Sequence, residues 1–379
     1  PSLEPGAGIY LSSALAGLAH TEDVLAAVID SAVERWGIAS KKSAFARAKK
    51  LRVGLTYNLK RKVAKRADDD DSEAEYDSAQ TIDALAHAIA SHGHQVVRLE
   101  ATADIIRTLP DARVDLVFNL AEGVRGRARE AHVPALLEML GVPFTGSDAS
   151  TMAVALDKHL AKAVVAAADV PVPLGLAMLT GDEPLPAGLV FPVIAKPNAE
   201  GSSKGVLPRS VCVDEPSLRA TVREQLARYS GAVLIEEFLP GREFTVAMIG
   251  SPPRMLPPME IVFIEPDTAH PVYAFGDKLD WTQKIRYDRP AVVDDAMAKQ
   301  IERVAFGAWH ALGCRDIARF DLRCDKNGKL RFIEVNTLPG ITPGWSDLCL
   351  IAEAHGLSYE ALIGEILAPA IERMKRVSA

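Results

Sequence analysis

The sequence predicts an α/β protein in which a doubly wound domain is followed by further units of mixed strand and helix. Three observations lead there. From Leu51 onward, short apolar runs of strand character alternate with helical stretches, the order expected of a parallel sheet wrapped by crossover helices. A length of 379 residues, 48% of them hydrophobic and 25% charged, can supply the cores of two or three domains. Near the carboxyl end, two short runs flank Asp325-Lys326-Asn327-Gly328, the composition of a tight turn in an antiparallel hairpin.

Taken in order, Thr21 to Trp36 carries helix spacing, with Val24, Leu25, Val28, Ile29 and Val33 on one face and Thr21 as the cap, before a basic linker from Lys41 to Arg52. Pro5-Gly6, His20 and Ala32-Val33-Glu34-Arg35 echo Pro339-Gly340, His355 and Ala370-Ile371-Glu372-Arg373 in the same order. The opening therefore reads either as the tail of an earlier homologous unit or as helix-forming sequence alike by chance. Leu51 to Tyr57, Gln95 to Leu99 and Val114 to Asn119 are expected as buried strands, with helices near Ala74 to Ser91 and Ala103 to Thr108. The stretch from Leu59 to Ser78 is a basic run followed by an acidic one, which is a solvated loop or, by position, a lid. Ligands of such folds bind beyond the carboxyl ends of the strands, so Glu122, Arg125, Arg127, Arg129 and Glu130 are candidates, against the plain reading of surface charge.

A long helix from about Ala149 to Ala168, carrying Asp157-Lys158, opens the next unit. Phe191 to Lys196 reads as a strand that delivers Lys196 into a loop containing Gly201, Ser202, Ser203 and Gly205. Backbone N–H groups and hydroxyls there can approach phosphate oxygens while Lys196 supplies charge. The loop has neither a Walker spacing nor Gly-x-Gly-x-x-Gly, and the same residues also suit an ordinary turn. Val233 to Leu239 and Glu243 to Ile249 are strands in which Glu236 and Glu243 stand out. They are acceptors for an adenine amino group and ribose hydroxyls, or merely exposed edge positions. Between Ala274 and Ala291 a polar, aromatic-rich loop with Asp277, Lys278, Trp281 and Lys284 is long enough to close over a site.

The hairpin, from Ile317 to Cys324 and Lys329 to Asn336, carries the sharpest signal. Its turn pairs odd positions of the first strand with even positions of the second, placing Arg319, Asp321, Glu334 and Asn336 on one face. Two carboxylates about 4 Å apart repel by roughly 4 kcal/mol at an effective dielectric of about 20, so Asp321 and Glu334 call for a cation between them unless the face is solvated. All-oxygen ligands suit Mg²⁺, with Mn²⁺ as the alternative ion.

Other classes are excluded or disfavoured by composition. A net charge of -7 and the lack of a basic block interleaved with aromatics argue against nucleic acid and anionic lipid as partners. Cys212, Cys314, Cys324 and Cys349 have no paired metal-ligand spacing and suit reduced, packed thiols in a cytoplasmic protein. No signal peptide or membrane-length apolar run is found, so a cytoplasmic location and no membrane partner are expected.

In order, Lys158, Lys196-Pro197, Gly201-Ser202-Ser203, Glu236, Gly241-Arg242-Glu243-Phe244-Thr245-Val246, Arg319-Phe320-Asp321 and Glu334-Val335-Asn336-Thr337 resemble an ATP-grasp enzyme, and in particular the D-alanine:D-alanine ligase family. The likeness runs from about Val114 to Ile366 and includes Thr145-Gly146-Ser147, Leu338-Pro339-Gly340-Ile341-Thr342 and Ser346. It implies an α+β ATP-grasp fold: a helical extension over 1–50, a Rossmann-like domain over 51–146, a small central domain over 147–235 and a larger carboxyl-terminal domain over 236–379. It also implies ATP on Lys158, Lys196, Ser202, Ser203, Glu236 and Glu243, and Mg²⁺ on Asp321, Glu334 and Asn336. Arg319 would steady the transferred phosphoryl group, Ser202 and Lys278 would belong to closing loops, and Gly340, Ser346 and Glu122 would meet amino-acid or amine substrates. The activity implied is carboxylate–amine ligation through an acyl phosphate, with a homodimer left open. The alternative is a non-catalytic nucleotide-binding or regulatory half of a tandem protein.

The departures concern the donor substrate. That family usually carries Ser-x-Glu after its first strand, where this chain has the charged loop after Tyr57. Its His-Gly-x-x-Gly-Glu-Asp-Gly is replaced by Glu122-Gly123-Val124-Arg125-Gly126-Arg127-Ala128-Arg129-Glu130. A tyrosine after the closing-loop lysine is replaced by Leu279, and one residue is inserted before Ser346, beside Trp345. Either Glu122 or Glu130, or another acid of the charged loop, would hold the donor ammonium, and Arg125, Arg127 and Arg129 would favour a donor with an extra carboxylate.

Overall fold

The computed structural model describes residues 50–62, 71–264 and 285–377. Expectations for the first 49 residues, for the centre of the charged loop and for Lys278 and its neighbours lie outside those residues. Strands β1 (Arg52–Tyr57), β2 (Gln95–Glu100) and β3 (Leu116–Asn119) form a parallel sheet in the order β2-β1-β3. Val53, Leu55 and Leu116 are fully buried in it, as continuous apolar runs of a sheet covered on both faces should be.

Helix α1 (Ala79–Ser91) begins later than the sequence suggested. Asp77 is tied back to the end of the first strand, its N–H donating to Asn58 O and its carbonyl accepting from the Lys60 N–H, so the helix can start only after it. Ser78 then caps it by accepting from the Thr81 N–H. Helix α2 (Ile105–Ala112) follows β2, and α3 (His132–Leu140) follows β3.

The single helix expected over Ala149 to Ala168 is two: α4 (Ala149–Leu156) and α5 (Lys158–Ala167). Asp157 has extended backbone and its carboxylate accepts from the Leu160 N–H, a capping interaction that periodicity does not register. The break aims Lys158 inward from the first turn of α5.

Strands β4 (Gly175–Met178), β5 (Val193–Pro197), β6 (Val211–Cys212) and β7 (Val233–Glu237) form an antiparallel sheet in the order β4-β7-β5-β6. Helix α6 (Glu215–Arg228) packs Leu218 and Val222 on it. The larger sheet runs β11-β10-β8-β12-β13, built from β8 (Glu243–Gly250), β10 (Met259–Phe263), β11 (Ile285–Asp288), β12 (Asp316–Cys324) and β13 (Leu330–Asn336), with β9 (Arg254–Met255) paired to β8. Strand alternation sorts its side chains. Phe244, Val246, Met248, Phe320 and Phe332 pack under α7 (Asp295–Leu312), whereas Ala247 and Ile249 join α1, α8 (Asp347–Ala354) and α9 (Tyr359–Val377). The polar end of that second face is where the site lies.

The hairpin has the expected register, with Arg319 opposite Asn336 and Asp321 opposite Glu334. Immediately beyond, Leu322 pairs with Phe332, so Ile333 is an extra residue in a bulge. The bulge sets Ile333 and Glu334 side by side at the cleft, an apolar surface next to a carboxylate.

Candidate active site

A cleft separates the β4-β7-β5-β6 sheet from the larger one. Its lining combines apolar side chains, including Ile194, Val206, Phe238, Leu239, Ile261 and Ile333, with Lys158, Lys196, Glu334, Arg319 and Asp321. An apolar slot that also carries cations and carboxylates is suited to a flat base joined to phosphates.

Behind the slot lies a network of buried ions. Lys196 Nζ is 2.6 Å from Glu236 and Lys162 Nζ is 3.0 Å from its other oxygen, while Lys158 Nζ is 3.3 Å from Glu334. Lys162 Nζ also donates to Ile333 O at the bulge. Burial alone would raise the Glu334 carboxyl, but Lys158 first, then Lys196, Lys162 and Arg319, hold it at about 2. Burial brings Lys162 down to about 8 against the pull of Glu236. Glu236 lines the cleft as expected, yet both its oxygens face lysines. Lys162 was missed in the sequence, although its place one helical turn after Lys158 puts the two on one face.

Asp321 is held from three sides. Arg319 donates to both oxygens at 3.2 and 3.1 Å, Thr245 Oγ1 donates at 3.1 Å and Asn336 Nδ2 at 3.1 Å. Arg319 Nη1 lies 3.6 Å from Asp347, and those two acids, Asp321 foremost, raise the buried guanidinium well above its ordinary range although burial opposes them. Asp321, Glu334 and the Asn336 amide oxygen form an oxygen-only donor set that fits a hard divalent cation. Glu243, at the start of β8, lies 3.1 Å from Arg323 at the slot.

The glycine-serine loop is anchored from outside its own unit. The Gly201 N–H donates to Glu75 at 2.6 Å, and Lys204 Nζ donates to Glu75 and Glu200 at 2.7 and 3.0 Å. Ser202 (φ 51°) and Ser203 (φ 57°) both adopt left-handed backbone, a conformation that costs a non-glycine residue about 1 kcal/mol or more. Ser203 lines the cleft between the two sheets and Ser202 a second pocket. Glu75 was not singled out in the sequence, because nothing in an acidic run distinguishes the residues that fold inward.

This second pocket brings Arg319, Asn336, Gly340, Thr342, Trp345 and Ser346 against Asp77, Glu122, Glu130 and Ser202. Ser346 Oγ accepts the Thr342 N–H at 3.0 Å, and a Cβ on Gly340 would lie 2.9 Å from that oxygen, so a larger residue there would have to displace the hydroxyl. The expectation that the arginines after β3 face the donor is corrected. Arg129 is buried and spent on Glu75, at 2.8 and 2.9 Å, and on Ala199 O; Arg127 is exposed and pairs with Asp157 at 3.0 Å; Arg125 is exposed on another cavity. A guanidinium beside a buried carboxylate gains more there than on a solvated loop.

The acids of this pocket are poorly compensated. Burial first, then the charge of Glu75, pushes Glu130 up to about 7; burial and then Glu130 push Glu122 well above the usual range; burial takes Asp77 to about 7. A carboxyl whose folded pKa exceeds its unfolded value binds its proton more tightly when folded. Its penalty is absent below the unfolded pKa near 4.5 and grows as pH rises to about 7. Substrate-free protein should thus lose stability across pH 4.5–7, with Glu130 contributing on the order of 3 kcal/mol. Thermal melts of wild type and Glu130→Gln across that window check this: the variant's decline should be shallower, and parallel curves would contradict it.

A family model described as the D-ala D-ala ligase C-terminus matches residues 182–368. A D-alanine--D-alanine ligase of Desulforudis audaxviator is 33% identical over 299 residues, covering 76% of this chain and 92% of that protein. An uncharacterised protein, y4sG, of Sinorhizobium fredii is 34% identical over 295 residues, covering 75% and 85% respectively. Among solved structures, the D-alanine--D-alanine ligase of Bacillus anthracis complexed with ATP matches with a TM-score of 0.66 and 22% identity over 86% of this chain and 99% of its own, a likeness of fold.

Proposed function

This chain belongs to the D-alanine:D-alanine ligase family and is an ADP-forming ligase of the ATP-grasp type, and on that premise we propose that it joins an amino-acid carboxylate to an amine through an acyl phosphate. The observation that carries the reading is the intact face of Arg319, Asp321, Glu334 and Asn336, with Lys158 3.3 Å from Glu334 and Lys196 lining the same cleft. A regulatory half with no chemistry to perform would have no need of that set.

The donor carboxylate attacks the γ-phosphorus of ATP and ADP departs. The amine then attacks the acyl carbon, losing a proton as phosphate leaves. Lys158 and Lys196 orient phosphate oxygens, and the apolar slot with Phe238, Leu239 and Ile333 receives the base. Asp321, Glu334 and Asn336 would hold Mg²⁺, which when bound neutralises phosphate oxygens. The Arg319 fork, fixed by Asp321 and Asp347, meets charge developing on the transferred group and on the acyl oxygen. Ser203, already in strained backbone at the cleft, covers the phosphates, and Ser202 faces the adjoining pocket.

The test is ADP release that depends on both a carboxylate and an amine across an amino-acid panel; no stimulation by any pair would defeat the proposal. Arg319→Lys is expected to lower kcat by about 10²–10³-fold, because a point charge cannot replace a planar fork held by two acids. Near-normal turnover in that variant would remove Arg319 from the mechanism.

A further inference from the structure

The pocket beside Arg319 gathers more acids than the described residues answer with cations. Its charges divide into two groups. Glu75 and Glu200 are answered by Arg129 and Lys204, whose contacts with them span 2.7–3.6 Å. Glu122 and Glu130 have no such partner among the described residues. An oxygen of each lies within 4.8 Å of the other and of Glu75. Glu130 is only 9% exposed, accepts no hydrogen bond from a described residue, and lines the pocket. Asp77 lines the same wall, with Lys60 as the nearest opposing charge. Arg319 lines the same pocket.

A buried carboxylate without a partner, as at Glu130, is costly, and half-buried Glu122 beside it adds like-charge repulsion unless a ligand supplies the missing cations. A single α-ammonium would answer one. Resting on the ligase reading above, we propose that the donor is a diamino acid, whose carboxylate is turned toward Arg319 and whose two ammonium groups are taken by Glu122 and Glu130, with Asp77 beside them. D-Alanyl-D-alanine is then not the main product. A divalent cation on Glu75, Glu122 and Glu130 is the competing occupant. It is disfavoured because Glu75 already receives the Arg129 fork, the Lys204 ammonium and the Gly201 N–H.

Isosteric pairs decide it: ornithine against norvaline, and 2,3-diaminopropionate against 2-aminobutyrate, each in both enantiomers. Both ADP release and thermal shift are read on the full chain with ATP and Mg²⁺. The diamino member should exceed its neutral partner by at least about 100-fold in kcat/KM and should alone raise the melting temperature at millimolar concentration. In Glu130→Gln that preference should fall at least tenfold through KM. Equal or better use of the neutral partners overturns the proposal while leaving the ligase reading in place. Thermal shifts specific to diamino acids without ADP release sustain the site and defeat the ligase reading instead. Loss of one equivalent of bound Mg²⁺ or Ca²⁺ in Glu122→Gln/Glu130→Gln, with no amine preference in the wild type, assigns the acids to a metal and overturns it. The wild-type comparison stands even where a variant fails to fold.

Discussion

Glu334→Gln is expected to reduce turnover by at least about 10²–10³-fold while the protein still folds. The carboxyl is held at about 2, so the wild-type side chain carries its full negative charge at any working pH and the amide removes all of it. Two consequences follow from position. The oxygen set shared with Asp321 and Asn336 loses the charge that draws a divalent cation, and Lys158 loses its partner at 3.3 Å. Folding should survive because Glu236 still stands between Lys162 and Lys196, and because Glu334 sits at the edge of the sheet's apolar face rather than within it. Asn336→Ala should act in the same direction, through the missing oxygen and the lost donation to Asp321. Activity titrated against Mg²⁺, with circular dichroism as the folding control, measures both variants. Rates equal to wild type at all Mg²⁺ concentrations would disprove the metal assignment.

The largest effect on stability is expected at Glu236. Glu236→Ala should cost about 3–5 kcal/mol at pH 7, the usual consequence of stranding buried charges. Glu236 is 2% exposed and lies against two lysines that are themselves nearly buried. Burial alone would raise its carboxyl, but Lys162 and Lys196 together outweigh that and lower it. Without it, both ammonium groups remain in a poorly solvated cleft, where burial favours their neutral forms. Folded lysine pKa values then fall below their unfolded value near 10.5, so the variant should regain stability as pH rises toward 10. Urea unfolding at pH 7 and pH 9.5 tests this, and a loss under 1 kcal/mol at pH 7 would show that the lysines find solvent or another partner. Removing a cleft acid would affect nucleotide binding too, but the unfolding measurement needs no nucleotide.

The hairpin was legible because two local rules coincide. A tight turn fixes the register, and a strand's period of two then decides which side chains share a face. Arg319, Asp321, Glu334 and Asn336 could therefore be grouped without any tertiary information. What the pattern could not reveal was the Ile333 bulge, which depends on how Leu322 and Phe332 pack under α7. The break at Asp157 was hidden for a related reason. Apolar spacing continues through it, and only the cap to Leu160 and the ion pairs of Lys158 and Lys162 show why the chain turns there.

By itself the sequence determined the α/β class and the face on which the hairpin's polar groups lie, and both follow from periodicity and short-range spacing, which act within a few residues. The order of the candidate phosphate, adenosine and metal residues was legible through their resemblance to the ATP-grasp enzymes. The tertiary structure alone decided which acids and bases meet. Glu75 crosses from the loop after β1 to Gly201, Lys204 and Arg129, residues 54 to 129 positions away. That contact takes Arg129 away from the substrate and leaves Glu122 and Glu130 facing the pocket. Charge pairing of this kind depends on distance and burial in the folded molecule, and neither is written in the local order of residues.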